Sequence, residues 1–147
     1  GWDWALMDTL LDMLMRHEGV RIKPYHDTVG KLTIGVGRNL DDVGITRDEA
    51  MYLLNNDVNK TVAWLRSTYP WFSELSPVRQ DAVTDMAFNL GTTEGDPKFP
   101  DFHRFHEALS RHDYKAARER GLDSKWATQV GQRANELMTM IETGMYA

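Results

Sequence analysis

The sequence predicts an α+β fold that is mostly helical, with one small antiparallel sheet close to the N-terminus. Three observations point there. Apolar residues recur every three or four positions through most of the chain, the period of a helix buried on one face. Between residues 20 and 37 that period gives way to alternation interrupted by Pro24, Gly30, Gly35 and Gly37, the pattern of short strands and tight turns. Capping residues and glycines bracket the helical runs. With 147 residues, 41% of them hydrophobic, the chain is long enough for one compact domain of two lobes and too apolar to be disordered.

Met7, Leu10, Leu11 and Leu14 give residues 3–17 an apolar stripe, so a first helix is expected to end near Gly19, with its stripe in the core and Glu18 at its C-terminal end. Residues 20–37 then form a hairpin or three-stranded sheet, too small to be stable alone. Thr46-Arg47-Asp48-Glu49 is a capping box: the Thr oxygen and the Glu carboxylate each take a free amide, so a helix starts at Arg47. Ala50, Leu54, Val58, Val62 and Leu65 carry its apolar face to about Arg66. Ser76-Pro77 is an N-cap with proline at the first helical position, and Val83, Met86, Ala87 and Leu90 form the buried stripe up to Gly91. Residues 92–100 are a loop, marked by Gly95, Pro97 and Pro100. Asp101 is expected to cap a helix with Phe102, Phe105 and Leu109 inward, and Asp113 to cap another that runs through Glu119 and stops at Gly121. Ala134, Leu137, Met138 and Ile141 make the final helix, stopped by Gly144.

Charge and composition narrow the partners. The net charge is −5, and the 17 Lys and Arg are scattered among 22 acids, which argues against nucleic acid. Arg16, Arg21, Lys23, Lys31 and Arg38 nevertheless make the neighbourhood of residues 16–38 locally basic. The absence of cysteine excludes a disulfide scaffold and fits folding in a reducing compartment. No apolar run is long enough to span a membrane, and Gly1-Trp2-Asp3-Trp4 lacks the basic start of a signal peptide. His103, His106 and Glu107 do not have the His-Glu-x-x-His spacing and read as solvated helix surface; neither a metal nor a cofactor is expected.

Chemistry concentrates between His17 and Gly37. Glu18, Asp27 and Thr33 supply two carboxylates and a hydroxyl among glycines. Cleaving a glycosidic bond requires an acid to protonate the leaving oxygen and an ionised carboxylate near the developing oxocarbenium ion. Glu18, following an apolar helix, is expected against apolar surface that raises its pKa, as the acid; Asp27, in a polar turn, is the base or stabiliser. Thr33 lies on a short alternating run, where its hydroxyl helps to hold a water beside Asp27.

These residues and spacings resemble the active-site segment of the phage-type lysozymes, the T-even coliphage type classed as glycoside hydrolase family twenty-four. In that family the Glu closes the first helix, the Asp follows in a Tyr-x-Asp-Thr turn and the Thr lies in a Thr-x-Gly-x-Gly strand. Here they read Glu18, Tyr25-His26-Asp27-Thr28 and Thr33-Ile34-Gly35-Val36-Gly37. The resemblance continues in Gly44-Ile45-Thr46-Arg47-Asp48-Glu49-Ala50 and Leu54-Asn55-Asn56-Asp57-Val58, and more loosely to the C-terminus. It implies Glu18 as proton donor, Asp27 as second carboxylate and Thr33 as its companion. It makes Phe88 and Asn89, in Phe88-Asn89-Leu90-Gly91, candidate sugar contacts, and places Arg133 opposite Glu18. Two departures stand out. Five residues separate Arg38 from Gly44 where the family's best-known members have a longer insertion, and Asn39, a further candidate sugar contact, takes the place of an apolar cleft residue. Arg38 also replaces a family histidine while its aspartate is kept as Asp57, which predicts an Arg38–Asp57 ion pair.

The resemblance implies a lysozyme-like two-lobed domain over residues 1–147: a small sheet lobe at about 18–45, a connecting helix at about 46–66, and a helical lobe of 67–147 together with the first helix. The implied activity is hydrolysis of the β-1,4 bond between N-acetylmuramic acid and N-acetylglucosamine in peptidoglycan by a monomer that neither binds nucleic acid nor inserts into membrane. The implied location is the host cytoplasm before release to the periplasm and wall, or a virion tail. A lytic transglycosylase, which needs no second carboxylate, and a non-catalytic wall-binding or virion structural module are the alternatives.

Overall fold

The computed structural model describes residues 4–147, with side chains from Thr9 onward; the Met7 side chain of the expected stripe and the opening Gly1-Trp2-Asp3 lie outside what is described. The fold is α+β and mostly helical, with a three-stranded antiparallel sheet. The chain forms two compact units, Gly1–Tyr52 and Leu53–Ala147.

The first unit holds α1 (Trp4–Glu18), β1 (Arg21–His26), β2 (Leu32–Gly35), β3 (Arg38–Asn39) and the first turns of α2 (Arg47–Thr68). The strand order is β1-β2-β3. Tyr25 pairs with Thr33 and Arg21 with Gly35, and the register shifts between Arg21 and Tyr25, around Pro24. Proline cannot donate to the ladder, so an edge strand with an irregularity is where it fits. The capping box forms as the sequence predicts: Glu49 N donates to Thr46 Oγ1 at 3.1 Å, and Thr46 N to Glu49 Oε1 at 2.9 Å. The stripe of α1 differs from expectation, because Leu10 and Leu11 are 48% and 44% exposed. Among the described residues of this unit only Thr33 is buried, so none of the described apolar side chains forms a core for the stripe to enter.

The core lies in the second unit. The later turns of α2, α3 (Pro77–Leu90), α4 (His103–Ser110), α5 (Tyr114–Leu122), α6 (Lys125–Val130) and α7 (Gln132–Thr143) surround Leu65, Phe72, Val83, Met86, Phe99, Phe105, Leu109, Met138 and Ile141. Ser76 caps α3 with Pro77 in the first turn, and Asp113 caps α5 through Ala116 N at 3.0 Å, both as predicted. Asp101 does not cap α4. It ends a 3-10 turn, Phe99–Asp101, that Pro100 favours and the fully buried Phe99 anchors, and α4 starts after Phe102 without a side-chain cap.

Gly121 does not end α5 but lies inside it. A Cβ there would sit 2.2 Å from Met138 Sδ, so the glycine is what lets α5 approach α7. Ser124 caps α6 through Ala127 N, and Gly131, with φ +59°, separates α6 from α7.

His106 is a further correction, because it is 8% exposed rather than solvated. Its ring stacks on Tyr69 at 4.6 Å, its Nε2 lies 2.8 Å from Phe99 O, and its Nδ1 is buried without a partner. Burial pushes its pKa down from 6.5 to about 4. The unfolded chain therefore binds a proton between these values that the native state refuses, so stability is full above pH 6.5 and falls as pH drops towards 4. A displacement of that size corresponds to about 3 kcal/mol. Urea unfolding between pH 7 and 4 is expected to show this slope, and His106→Phe to flatten it.

Candidate active site

Glu18 closes α1. Gly19, with φ +77°, donates its N–H to Met15 O and turns the chain into β1. The Glu18 side chain is exposed, so the apolar cover expected for it is absent; its neighbours Leu14 and Met15 are themselves more than a third exposed. Its position is defined from the other side by Gly37, where a Cβ would come within 3.0 Å of Glu18 Oε2. Gly37 has φ +72°, so its backbone favours glycine, and a side chain there would also crowd the carboxylate above it.

Asp27 sits in the turn after β1, and its Oδ1 accepts from Val29 N at 3.0 Å and Lys31 N at 2.8 Å. These bonds make an Asx turn that fixes the carboxylate plane. Among the described residues both hydrogen bonds to this carboxylate fall on Oδ1, which leaves Oδ2 open. Thr33 is 3% exposed, and its hydroxyl donates to Lys31 O at 2.8 Å. Lys31 O also accepts from Asp27 N at 2.9 Å. The main chain of Lys31 thus ties Asp27 and Thr33 into one hydrogen-bonded frame.

The other expected residues have local partners. Asn39 Nδ2 donates to Asp42 Oδ2 and its Oδ1 accepts from Asp42 N, so its side chain braces the turn after β3. Asn89 Oδ1 accepts from the buried Trp126 indole at 2.8 Å. Phe88 is 42% exposed and borders two cavities of the second unit, of about 240 and 370 Å³. Arg133, on the wall of the second, pairs with a single oxygen of Asp85, Oδ1, through Nε at 2.8 Å and Nη2 at 2.7 Å. Gly37 was marked in the sequence by the Thr-x-Gly-x-Gly run, whereas the Lys31 main chain and Asp85 were not singled out.

Arg38 takes Glu49 rather than the predicted Asp57, with Nη1 2.7 Å from Oε1, and also reaches Gly44 O. The guanidinium, together with the Thr46 amide, holds the Glu49 pKa down from 4.5 to about 2. This contribution to stability is complete above pH 4.5 and is lost as pH falls towards 2. Acid unfolding of Arg38→Met is expected to lack that part of the slope, and Arg38→Met with Glu49→Gln to be non-additive in a double-mutant cycle.

Comparison with known proteins gives a consistent picture. The family described as phage lysozyme matches residues 15–140. The chain is 24% identical to a probable T4-type lysozyme 2 of Dictyostelium discoideum over 95% of this chain and 96% of that protein. It is 29% identical to the pre-baseplate central spike protein Gp5 of Enterobacteria phage T4 over 92% of this chain, which spans 28% of the spike protein's length. An endolysin of Acyrthosiphon pisum secondary endosymbiont phage 1 is 32% identical over 56% of this chain and 58% of its own.

Proposed function

The chain belongs to the phage lysozyme family, and from that premise we propose that it hydrolyses the β-1,4 bond between N-acetylmuramic acid and N-acetylglucosamine in peptidoglycan. Glu18 protonates the leaving glycosidic oxygen. Asp27, its plane fixed by two amides on Oδ1, presents Oδ2 to a water. Thr33 is committed as a donor to Lys31 O and so meets that water as an acceptor. A water giving one hydrogen to Asp27 and the other to Thr33 turns a lone pair towards the anomeric carbon. The bond from water to carbon forms, the glycosidic C–O bond breaks, the Glu18 proton goes to the leaving oxygen and a water proton to Asp27.

The observation that carries this reading is the Lys31 frame, which joins the second carboxylate to the hydroxyl and leaves one carboxylate oxygen open. A transglycosylase has no use for such a frame, because its leaving group is displaced within the sugar. Sugar contacts are assigned to Phe88, through its exposed face, to the Asn89 amide nitrogen left after Trp126 is bound, and to the remaining amide hydrogen of Asn39. Arg133 has a supporting role. The polymer partner is peptidoglycan, engaged by a monomer, rather than nucleic acid or membrane. Among the described residues no helix is long and apolar enough to cross a membrane. The relatives' names, an endolysin and a central spike protein, match the two placements open from sequence, the host cell before release and the virion.

The test is digestion of purified peptidoglycan followed by mass spectrometry of the released ends. Reducing ends on muramic acid support hydrolysis; anhydro ends, or no release, overturn it.

A further inference from the structure

The cations of the first unit fall into two groups. Lys31 is paired with Asp42 and Arg38 with Glu49. Arg21 and Lys23 lie on the edge strand β1, are exposed, and have no ion-pair partner among the described residues. Arg16 and Arg47 are likewise exposed without an ion-pair partner among the described residues, so within this unit it is the aromatic ring beside Arg21 that sets β1 apart.

Arg21 is also held in place. Its guanidinium carbon lies 4.4 Å from the centroid of the Tyr25 ring. A guanidinium stacked on an aromatic face has lost part of its rotamer freedom beforehand, and its N–H edges stay available for a carboxylate. The pairing of Arg21 with Gly35 and of Tyr25 with Thr33 puts Arg21, Tyr25 and Thr33 on one face of the sheet, because Thr33 and Gly35 are two positions apart on β2. The braced cation therefore shares the face of the hydroxyl assigned to the reaction.

We propose that Arg21, braced on Tyr25 and assisted by Lys23, is a specificity contact that binds a carboxylate on the peptide stems of the glycan strand being cleaved. This rests on the peptidoglycan reading above. The strand itself brings the anion to this face, so no second polymer is required. The contact selects glycan that carries peptides over glycan stripped of them.

The experiment measures cosedimentation of Glu18→Gln protein, which binds without cleaving, with insoluble walls in three forms: intact, freed of peptides by an amidase, and freed of phosphate polymers by acid extraction. Adding Arg21→Gln is expected to weaken binding to intact walls about three- to tenfold, the range spanned by exposed and partly desolvated charged contacts. Binding to amidase-treated glycan should be unchanged, and the loss on acid-extracted walls should equal that on intact walls. Arg21→Lys should recover part of the affinity, since it keeps the charge without the planar stack. Arg21 is exposed, so unchanged thermal unfolding verifies the fold of each variant. Equal losses on intact and amidase-treated material, no loss on either, or a loss that vanishes with the phosphate polymers overturns the proposal. Failure of the hydrolase reading registers separately, as absence of released sugar ends from unsubstituted protein while the binding contrast persists.

Discussion

Glu18→Gln is expected to reduce lysis of permeabilised bacteria, followed by turbidity, by at least about a hundredfold, the lower end of what a general acid contributes. The substitution keeps the shape of the side chain, so its fit over Gly37 is retained and only the proton is lost. Glu18 is exposed, so thermal unfolding should stay close to that of the unsubstituted protein. Activity within a few-fold of the original at unchanged stability would remove Glu18 from the mechanism.

Asp27→Asn is expected to have an effect of similar size, again at least about a hundredfold. Asparagine keeps an Oδ1 that accepts from the Val29 and Lys31 amides, so the turn survives. What disappears is the charge on the second oxygen and the capacity to take a proton from water. The two variants together separate the possible reactions. In a hydrolase both are severely impaired, whereas a transglycosylase loses activity with Glu18→Gln but persists with Asp27→Asn and leaves anhydro ends.

Three local decisions were legible in the sequence, whereas the cap expected at Asp101, equally local, gave way to the 3-10 turn anchored by Phe99. The Thr46–Glu49 box and the caps at Ser76 and Asp113 lie within three residues of the amides they satisfy, and all three form. Decisions depending on distant residues were not legible. Gly121 has the spacing of a helix stop, yet its reason is Met138, seventeen positions on and in another helix. His106 looks like surface in its own helix, and its burial depends on Tyr69, whose ring stacks on it from 37 residues away. In the candidate site, the sequence pointed to Glu18, Asp27 and Thr33, but the frame joining two of them is made of Lys31 main-chain groups, to which the side chain gives no clue. Arg38 shows the same limit: a carboxylate partner was foreseeable, but Glu49, already used by the capping box, is the one it takes.

The unit that carries Glu18, Asp27 and Thr33 has no buried apolar residue among those described, and its geometry is set by main-chain hydrogen bonds and by glycines in left-handed conformations. This gives it an uneven tolerance of genetic drift. Ile22, Val29 and Val43 are exposed, so a lineage can exchange them at little cost in stability. Gly37 has no such latitude, because any side chain there strains the backbone and intrudes on the acid. Divergence in such a protein should accumulate at exposed apolar positions of strand and turn alike and spare the glycines that hold left-handed backbone, the reverse of a domain whose strands are pinned by a core.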